Sequence, residues 1–198
     1  MINVESLRGM IAEELKAWDQ PSISVGIVKD GKVELAESFG YANVDKQVKP
    51  DPDTLYQIGS CSKAFTAAAV AILVDRGILE WDKPVVSYMP WLRFKEPFTT
   101  ANVTVRDLLC HRTGMPRLRA RHDAYWIDGP CTRKEMVENL RNMQPGWSFR
   151  SHWCYQNTCI VAAGMLVEEM TGKTWEEFVK EEIFEPLGMT RSTFYVDA

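Results

Sequence analysis

Most of the architecture follows from one segment, Tyr56-Gln57-Ile58-Gly59-Ser60-Cys61-Ser62-Lys63-Ala64-Phe65. Almost every residue from Ala64 to Val74 is apolar, which predicts a buried helix that begins near Ser60 and stops at Gly77. In the first turn of a helix, unpaired N–H groups and the helix dipole favour a developing negative charge on Ser60. Lys63 follows three residues later on the same face, where its amine can activate the serine. The segment therefore predicts a nucleophile and its activator in one helical turn.

The same residues also have a purely structural interpretation. A Ser-x-x-Lys spacing is expected about once by chance in a chain of this length. Ser60 would then be a helix N-cap, and Lys63 a solvated residue of the first turn. Cys61 is either a thiol made reactive by the helix terminus or a small hydrophobe directed into the core, and we expect the second.

Three further motifs follow in the chain, and they favour the catalytic interpretation. They are Leu108-Leu109-Cys110-His111-Arg112-Thr113-Gly114-Met115-Pro116, then Tyr155-Gln156-Asn157, then Glu185-Pro186-Leu187-Gly188-Met189-Thr190. In this order, with the Ser-x-x-Lys segment, they resemble the serine β-lactamase and penicillin-binding protein superfamily. The resemblance is to its class C branch, which includes esterases, D-aminopeptidases and related serine hydrolases, and it extends over nearly the whole chain.

The resemblance implies a β-lactamase/transpeptidase-like fold, an α/β domain with an all-α subdomain. Residues 1–76 would hold an N-terminal helix, a β-hairpin and the nucleophile helix, and residues 77–157 a mainly helical subdomain. Residues 158–198 would form helices that lead back to the sheet. The hairpin is also predicted directly, because alternating segments at 22–29 and 32–39 flank the turn residues Asp30-Gly31.

The resemblance also assigns roles within the site. Ser60 is the nucleophile, and Tyr155 is a proton shuttle whose phenol is acidified by the neighbouring Lys63. Asn157 donates an amide hydrogen bond to Lys63 or to the substrate carbonyl. Gln156 replaces the commoner Ser or Ala and is expected to face away from the site. A tyrosine at this position is otherwise a packing residue with a hydrogen-bonded hydroxyl.

Two other features near these motifs have open interpretations. His111 is more simply a residue that holds its loop by hydrogen bonds than a catalytic group. The basic cluster Arg117, Arg119 and Arg121 could bind an anionic substrate group, although such a run is more often a solvated loop surface.

The third catalytic motif of the family, [Lys/His]-[Thr/Ser/Ala]-Gly on a later strand, is absent from the expected place. The fold would therefore lack its C-terminal sheet strands and one of two oxyanion donors, whose loss costs on the order of a hundred to a thousandfold in rate. We interpret the chain as the N-terminal portion of a longer hydrolase, completed by a C-terminal segment or a second chain.

Composition limits the partners and the compartment. The net charge is −4 and no basic run carries interleaved aromatics, which argues against nucleic acid. No apolar run approaches the roughly 20 residues of a membrane span, and residues 1–18 lack the features of a secretory signal. We therefore expect a cytoplasmic protein. Its five cysteines are expected to be free thiols, and no metal or other cofactor is expected.

The predicted activity is hydrolysis of small esters or amides through an acyl-enzyme on Ser60. Acyl transfer to an alcohol or amine uses the same residues and stays an alternative. The alternative from another class is a non-catalytic scaffold that keeps the fold and pairs its exposed sheet edge with a partner. Substrate identity and oligomeric state do not follow from the sequence.

Overall fold

The computed structural model describes residues 3–117 and 131–195. Contacts divide the chain into two compact units, Met1–Gln57 and Ile58–Ala198.

The first unit contains one helix and a two-stranded antiparallel sheet. Helix α1, Val4–Ala17, begins at Asn3, whose side chain accepts a hydrogen bond from the backbone N–H of Ser6. Strands β1, Ser22–Lys29, and β2, Lys32–Gly40, are paired with a register shift after Ile27. The turn residues Asp30 and Gly31 have φ values of 50° and 73°, as a type I′ turn requires. The predicted hairpin is confirmed.

The second unit is built around helix α2, Lys63–Asp75, which follows a 3₁₀ turn, Gly59–Ser62. The buried residues of α2 form a single stripe, Thr66, Ala69, Val70 and Leu73. The prediction that α2 is buried on all sides is wrong. Alanines account for much of the apolar run, and Ala64 is exposed while Ala67 and Ala68 are only half-buried. These alanines make the sequence of α2 apolar on all sides, but they are small enough to lie on its partly exposed faces. The predicted stop at Gly77 is confirmed by its φ of 71°.

The regular elements in the described part of residues 77–157 are short helices and 3₁₀ turns, although most of these residues lie in turns and loops. A 3₁₀ turn, Val85–Ser87, precedes α3, Pro97–Asn102, and α4, Val105–Leu109. Helix α5, Arg133–Glu138, continues as a 3₁₀ turn, Asn139–Asn142.

Both α4 and α5 begin with a capping box. The side chain of Thr104 accepts from the backbone N–H of Asp107, and that of Thr132 accepts from the backbone N–H of Glu135. In each pair the carboxylate accepts from the cap residue in return, which satisfies N–H groups that the helix leaves unpaired.

Helix α6, Asn157–Thr171, is the second central element and packs against α2, α4 and α5. It ends at Gly172, and α7, Trp175–Val179, continues as a π-helical turn, Lys180–Phe184. The interior between these helices consists of fully buried side chains, among them Val70, Leu73, Leu108, Leu140, Leu166 and Phe178. Each such side chain contributes about 1.5–3 kcal/mol by burial, so the core fixes α2 against α6.

In the described ranges, none of the helices combines the length and the apolar character that crossing a membrane would demand.

Candidate active site

The packing of α2 against α6 brings together side chains from residues 60–63 and 155–157. Ser60 lies in the 3₁₀ turn, and Lys63 is the first residue of α2. Gly59 allows this tight turn through its φ of 50°, and the Ser62 hydroxyl donates to the Gly59 carbonyl at 2.6 Å. Tyr155 comes two residues before α6, which begins at Asn157. Ser60 therefore precedes the α-helix and does not lie within it.

Ser60, Lys63 and Tyr155 form one hydrogen-bonded cluster. The Lys63 Nζ donates to the Ser60 Oγ at 3.0 Å, and the Ser60 Oγ lies 2.6 Å from the Tyr155 Oη. The Lys63 Nζ is 4.9 Å from the centroid of the Tyr155 ring. Ser60 is exposed, so its hydroxyl is open to an incoming carbonyl. A serine hydroxyl held between an amine and a phenol can lose its proton during attack.

The surroundings of Tyr155 favour its phenolate. Burial by itself raises the pKa of the Tyr155 phenol, but hydrogen bonds from Lys63 and Ser60 lower it, as do the positive charges of Lys63 and Arg117. The lowering effects are larger together, and the net pKa lies below the ordinary value of a tyrosine. Tyr155 is thus suited to accept the proton of Ser60.

Cys61 does not point into the core, and our expectation for it is wrong. Its side chain is exposed, because the 3₁₀ turn gives residue 61 a different direction from the one it would have in an α-helix. All five cysteines are free, as expected.

His111 and Gln156 join two loops around Tyr155: the loop that follows α4 and the loop that precedes α6. The His111 Nδ1 accepts a hydrogen bond from the Gln156 backbone N–H at 3.2 Å, which confirms that His111 holds its loop. The Gln156 side chain is 1% exposed and faces away from the site, as predicted. Its Nε2 donates to the Pro116 carbonyl at 2.8 Å, and its Oε1 accepts from the Thr158 N–H at 2.9 Å. Glutamine is long enough to make both bonds, which Ser or Ala is not.

A buried carboxylate, that of Asp107, also joins the same two loops. The Asp107 side chain is completely buried and accepts hydrogen bonds from Arg112 and Arg150, each from one of the loops. It also accepts from the backbone and the hydroxyl of Thr104. Burial raises the pKa of Asp107, but these hydrogen bonds outweigh it, and the net pKa is lowered. Neither this double pairing nor its position was predicted.

A cavity of about 310 Å³ lies beside Lys63, between α2 and α6. It is lined by Ser62, Lys63, Thr66, Arg133, Asn157, Ile160, Val161, Gly164 and Trp175. The Asn157 Oδ1 and the Trp175 Nε1 are buried without a hydrogen-bond partner within the described ranges. No hydrogen bond joins Asn157 to Lys63 there, so of the two roles predicted for Asn157 the contact with substrate stays a prediction. The cavity itself was missed, although Asn157, Ile160 and Gly164 have the spacing of one helical face.

Of the basic cluster, Arg117 lies at the site. Its guanidinium carbon is 5.4 Å from the centroid of the Tyr155 ring. Arg119 and Arg121 fall outside the described residues. Over residues 3–117 and 131–195, no group of three or more His, Cys, Asp or Glu side chains is placed to hold a metal ion.

Comparison with known proteins identifies the family of the chain over nearly its whole length. Residues 7–198 match the family model described as Beta-lactamase. The unguisins hydrolase UngD′ of Aspergillus campestris is 32% identical over 185 residues, which are 91% of this chain and 34% of that protein. Protein Flp of Staphylococcus aureus is 30% identical over 189 residues, 93% of this chain and 37% of Flp. The chain thus spans about a third of the length of the curated relatives it matches.

Two solved structures share the fold. The octameric penicillin-binding protein homologue from Pyrococcus abyssi superposes with a TM-score of 0.82 at 35% identity, over 99% of this chain and 45% of that one. FmtA from Staphylococcus aureus has a TM-score of 0.78 at 22% identity, over 96% of this chain and 51% of its own. The predicted β-lactamase/transpeptidase-like fold is confirmed, and the chain corresponds to only part of each protein.

Proposed function

The chain belongs to the Beta-lactamase family, and from this premise we propose that the protein hydrolyses small esters or amides through an acyl-enzyme on Ser60. The observation that carries the proposal is the cluster in which the Ser60 hydroxyl contacts both the Lys63 amine and the Tyr155 phenol. Hydrolase chemistry also agrees with the name of the Aspergillus relative.

The geometry supports a two-step reaction. The Ser60 Oγ attacks the substrate carbonyl while its proton passes to the Tyr155 phenolate, 2.6 Å away, and a tetrahedral intermediate forms. Tyr155 then protonates the leaving alcohol or amine as the bond to it breaks, which leaves the acyl group on Ser60. In the second step a water molecule gives a proton to Tyr155 and attacks the acyl-enzyme. The proton returns to Ser60 as the acid leaves.

Lys63 keeps this proton transfer favourable. Its ammonium donates to the Ser60 oxygen and stands close to the Tyr155 ring, so it stabilises negative charge on either oxygen. A pKa of Tyr155 below the ordinary tyrosine value brings the phenolate closer to neutral pH, where a general base is most effective.

The cavity beside Lys63 has the size of a site for a small acyl group. Its volume of about 310 Å³ is at the lower end of small-molecule sites. Ile160, Val161 and Gly164 give it an apolar wall, and Asn157 adds a polar group to its lining. A short aliphatic acyl chain matches both its size and its polarity.

The proposal is tested by assaying nitrophenyl esters with the purified protein. Ser60→Ala is expected to lower kcat by on the order of a thousandfold or more. Ser87→Ala is the matched control, because Ser87 is exposed in another 3₁₀ turn, Val85–Ser87, and belongs neither to the cluster nor to the cavity lining. Equal activity of Ser60→Ala and the unmodified protein would exclude Ser60 as nucleophile. A complete absence of activity in the folded, unmodified protein would favour the scaffold alternative.

An added alcohol distinguishes hydrolysis from acyl transfer. Hydrolysis predicts free acid as the main product when the alcohol is far more dilute than water. A transferase would form the new ester in preference to the acid even at that dilution.

A further inference from the structure

We propose that His111 is a positioning residue, which holds the Tyr155 phenol against Ser60 without itself taking part in proton transfer. The inference rests on the proposed function, because Tyr155 has a catalytic task only there. It goes beyond that function because it assigns a role to a residue of the 108–116 segment, which contributes none of the three residues of the cluster.

His111 accepts hydrogen bonds from the two residues that flank Tyr155 in the chain. The His111 carbonyl accepts from the backbone N–H of Cys154 at 2.8 Å, and its Nδ1 accepts from the backbone N–H of Gln156 at 3.2 Å. The residues immediately before and after Tyr155 are thus fixed by one histidine. Because both bonds go to the backbone, they set the position of the Tyr155 Cα and the direction of its side chain.

The ring of His111 also packs on the ring of Tyr155. Their centroids are 4.7 Å apart and the rings are tilted by 33°. Trp153 meets the His111 ring edge-on at 5.8 Å, and its own ring is 6.4 Å from that of Tyr155. The three rings together restrict rotation of the Tyr155 side chain, whose hydroxyl must stay 2.6 Å from the Ser60 Oγ.

The backbone of His111 has an unusual conformation that its two hydrogen bonds depend on. Its φ is 58°, in the left-handed region that few residues other than glycine adopt, although His is enriched there together with Asn and Asp. Unusual backbone conformations persist where the surrounding contacts over-determine them. Here the conformation directs the carbonyl to Cys154 and the ring to Gln156 at the same time.

The protonation state of His111 argues for a positioning role and against proton transfer by its ring. Nδ1 can accept from Gln156 only if the ring is neutral with its proton on Nε2. Burial lowers the pKa of His111, and the positive charge of Lys63 lowers it further, so the neutral form is favoured. Since the lone pair of Nδ1 is already used, the ring has no free acceptor with which to take a proton from Ser60.

The test compares His111→Ala and His111→Asn in the full-length protein, with His152→Ala as the matched control. His152 lies in the neighbouring loop, is exposed and stacks on Trp147 instead of Tyr155. His111→Ala is expected to lower kcat by about 10- to 100-fold at an unchanged KM, since small misplacements of reacting groups have effects of this size. His111→Asn should recover part of the loss, because asparagine tolerates the left-handed backbone and offers an acceptor to Gln156. His152→Ala should stay within about twofold.

A second readout needs no activity. The ionisation of Tyr155, followed by tyrosinate absorbance and assigned by its loss in Tyr155→Phe, should move to higher pH in His111→Ala. The shift is expected because the phenol would move away from the positive charges of Lys63 and Arg117 that lower its pKa.

The outcomes separate the two proposals. If Ser60 proves inactive but the Tyr155 ionisation shifts in His111→Ala, the positioning role stands and the proposed function fails. An unchanged kcat and an unchanged Tyr155 pKa in a folded His111→Ala protein would overturn the positioning role while leaving the hydrolase intact. A folded His111→Asn protein as impaired as His111→Ala would overturn the hydrogen-bond argument.

Discussion

Replacing Asp107 by asparagine tests how the two active-site loops are held together. The Asp107 carboxylate is completely buried and accepts from the backbone and hydroxyl of Thr104, from Arg112 and from Arg150. Asp107→Asn keeps the shape of the side chain but removes its charge. It also replaces one acceptor oxygen by an NH₂ donor, which would face other donors.

The magnitude of the destabilisation follows from these contacts. Removing one partner of a buried ion pair costs about 3–5 kcal/mol when the remaining charge stays buried. Here the Arg112 and Arg150 side chains are 39% and 41% exposed and can regain water. We therefore expect a loss near the lower limit, about 3 kcal/mol, which corresponds to a Tm lower by about 6–12 °C in a domain of this size.

The effect should also depend on pH. Because the net pKa of Asp107 is lowered in the folded protein, its stabilisation is fully present above the unfolded value of about 3.9 and is lost as the pH falls through the folded pKa. The difference in unfolding free energy between the unmodified protein and Asp107→Asn should therefore be constant near neutral pH and shrink in acid.

Thermal and urea unfolding measure this difference, and Asp82→Asn provides the matched control. Asp82 also pairs with an arginine, Arg106, but its side chain is 70% exposed. An exposed pair of this kind contributes little to stability, because water screens both charges. If Asp107→Asn is no more destabilising than Asp82→Asn, the carboxylate does not brace the loops and the argument is refuted.

Three other substitutions, the last with a matched control, have expected outcomes. Lys63→Met should raise the pKa of Tyr155, because it removes the ammonium that favours the phenolate; tyrosinate absorbance measures this, and an unchanged titration would contradict it. Gly164→Val should lower kcat/KM for butyryl relative to acetyl esters by about tenfold, since a Cβ at this position already lies 3.5 Å from Trp175 and the added methyls would enter the cavity. An unchanged ratio of kcat/KM between butyryl and acetyl esters would show that the acyl chain binds elsewhere. Gly114→Ala should destabilise by about 3 kcal/mol, because its φ is +82° and a Cβ would lie 2.5 Å from the Trp147 carbonyl. Gly172→Ala, with φ +69° and open space around it, should cost only about 1 kcal/mol in the same unfolding experiment.

Local features of the fold could be predicted from the sequence because they depend on neighbouring residues. The Asp30-Gly31 turn needs only two residues that tolerate positive φ, and the start of α4 needs only Thr104 and Asp107 three positions apart. The pairing of Ser60 with Lys63 is local in the same sense. Tyr155 lies 95 residues from Ser60, and its place beside Ser60 was predicted from the family resemblance and not from spacing.

Other features depend on tertiary packing and were not predictable in this way. The cavity exists because Gly164 on α6 faces Trp175 on α7, a contact that sequence periodicity does not specify. The double pairing of Asp107 likewise requires two loops to converge on α4. The exposure of Cys61 was mispredicted because a 3₁₀ turn cannot be distinguished from the first turn of an α-helix by pattern alone.

Intact-mass analysis after treatment with a fluorophosphonate tests the central claim most directly. The full-length protein, Ser60→Ala and Ser62→Ala would be compared under the same conditions. We expect one covalent adduct on the unmodified protein and on Ser62→Ala, located at Ser60 by peptide mapping, and none on Ser60→Ala. An adduct that persists in Ser60→Ala, or no adduct on any of the three folded proteins, would contradict the claim that Ser60 is an activated nucleophile.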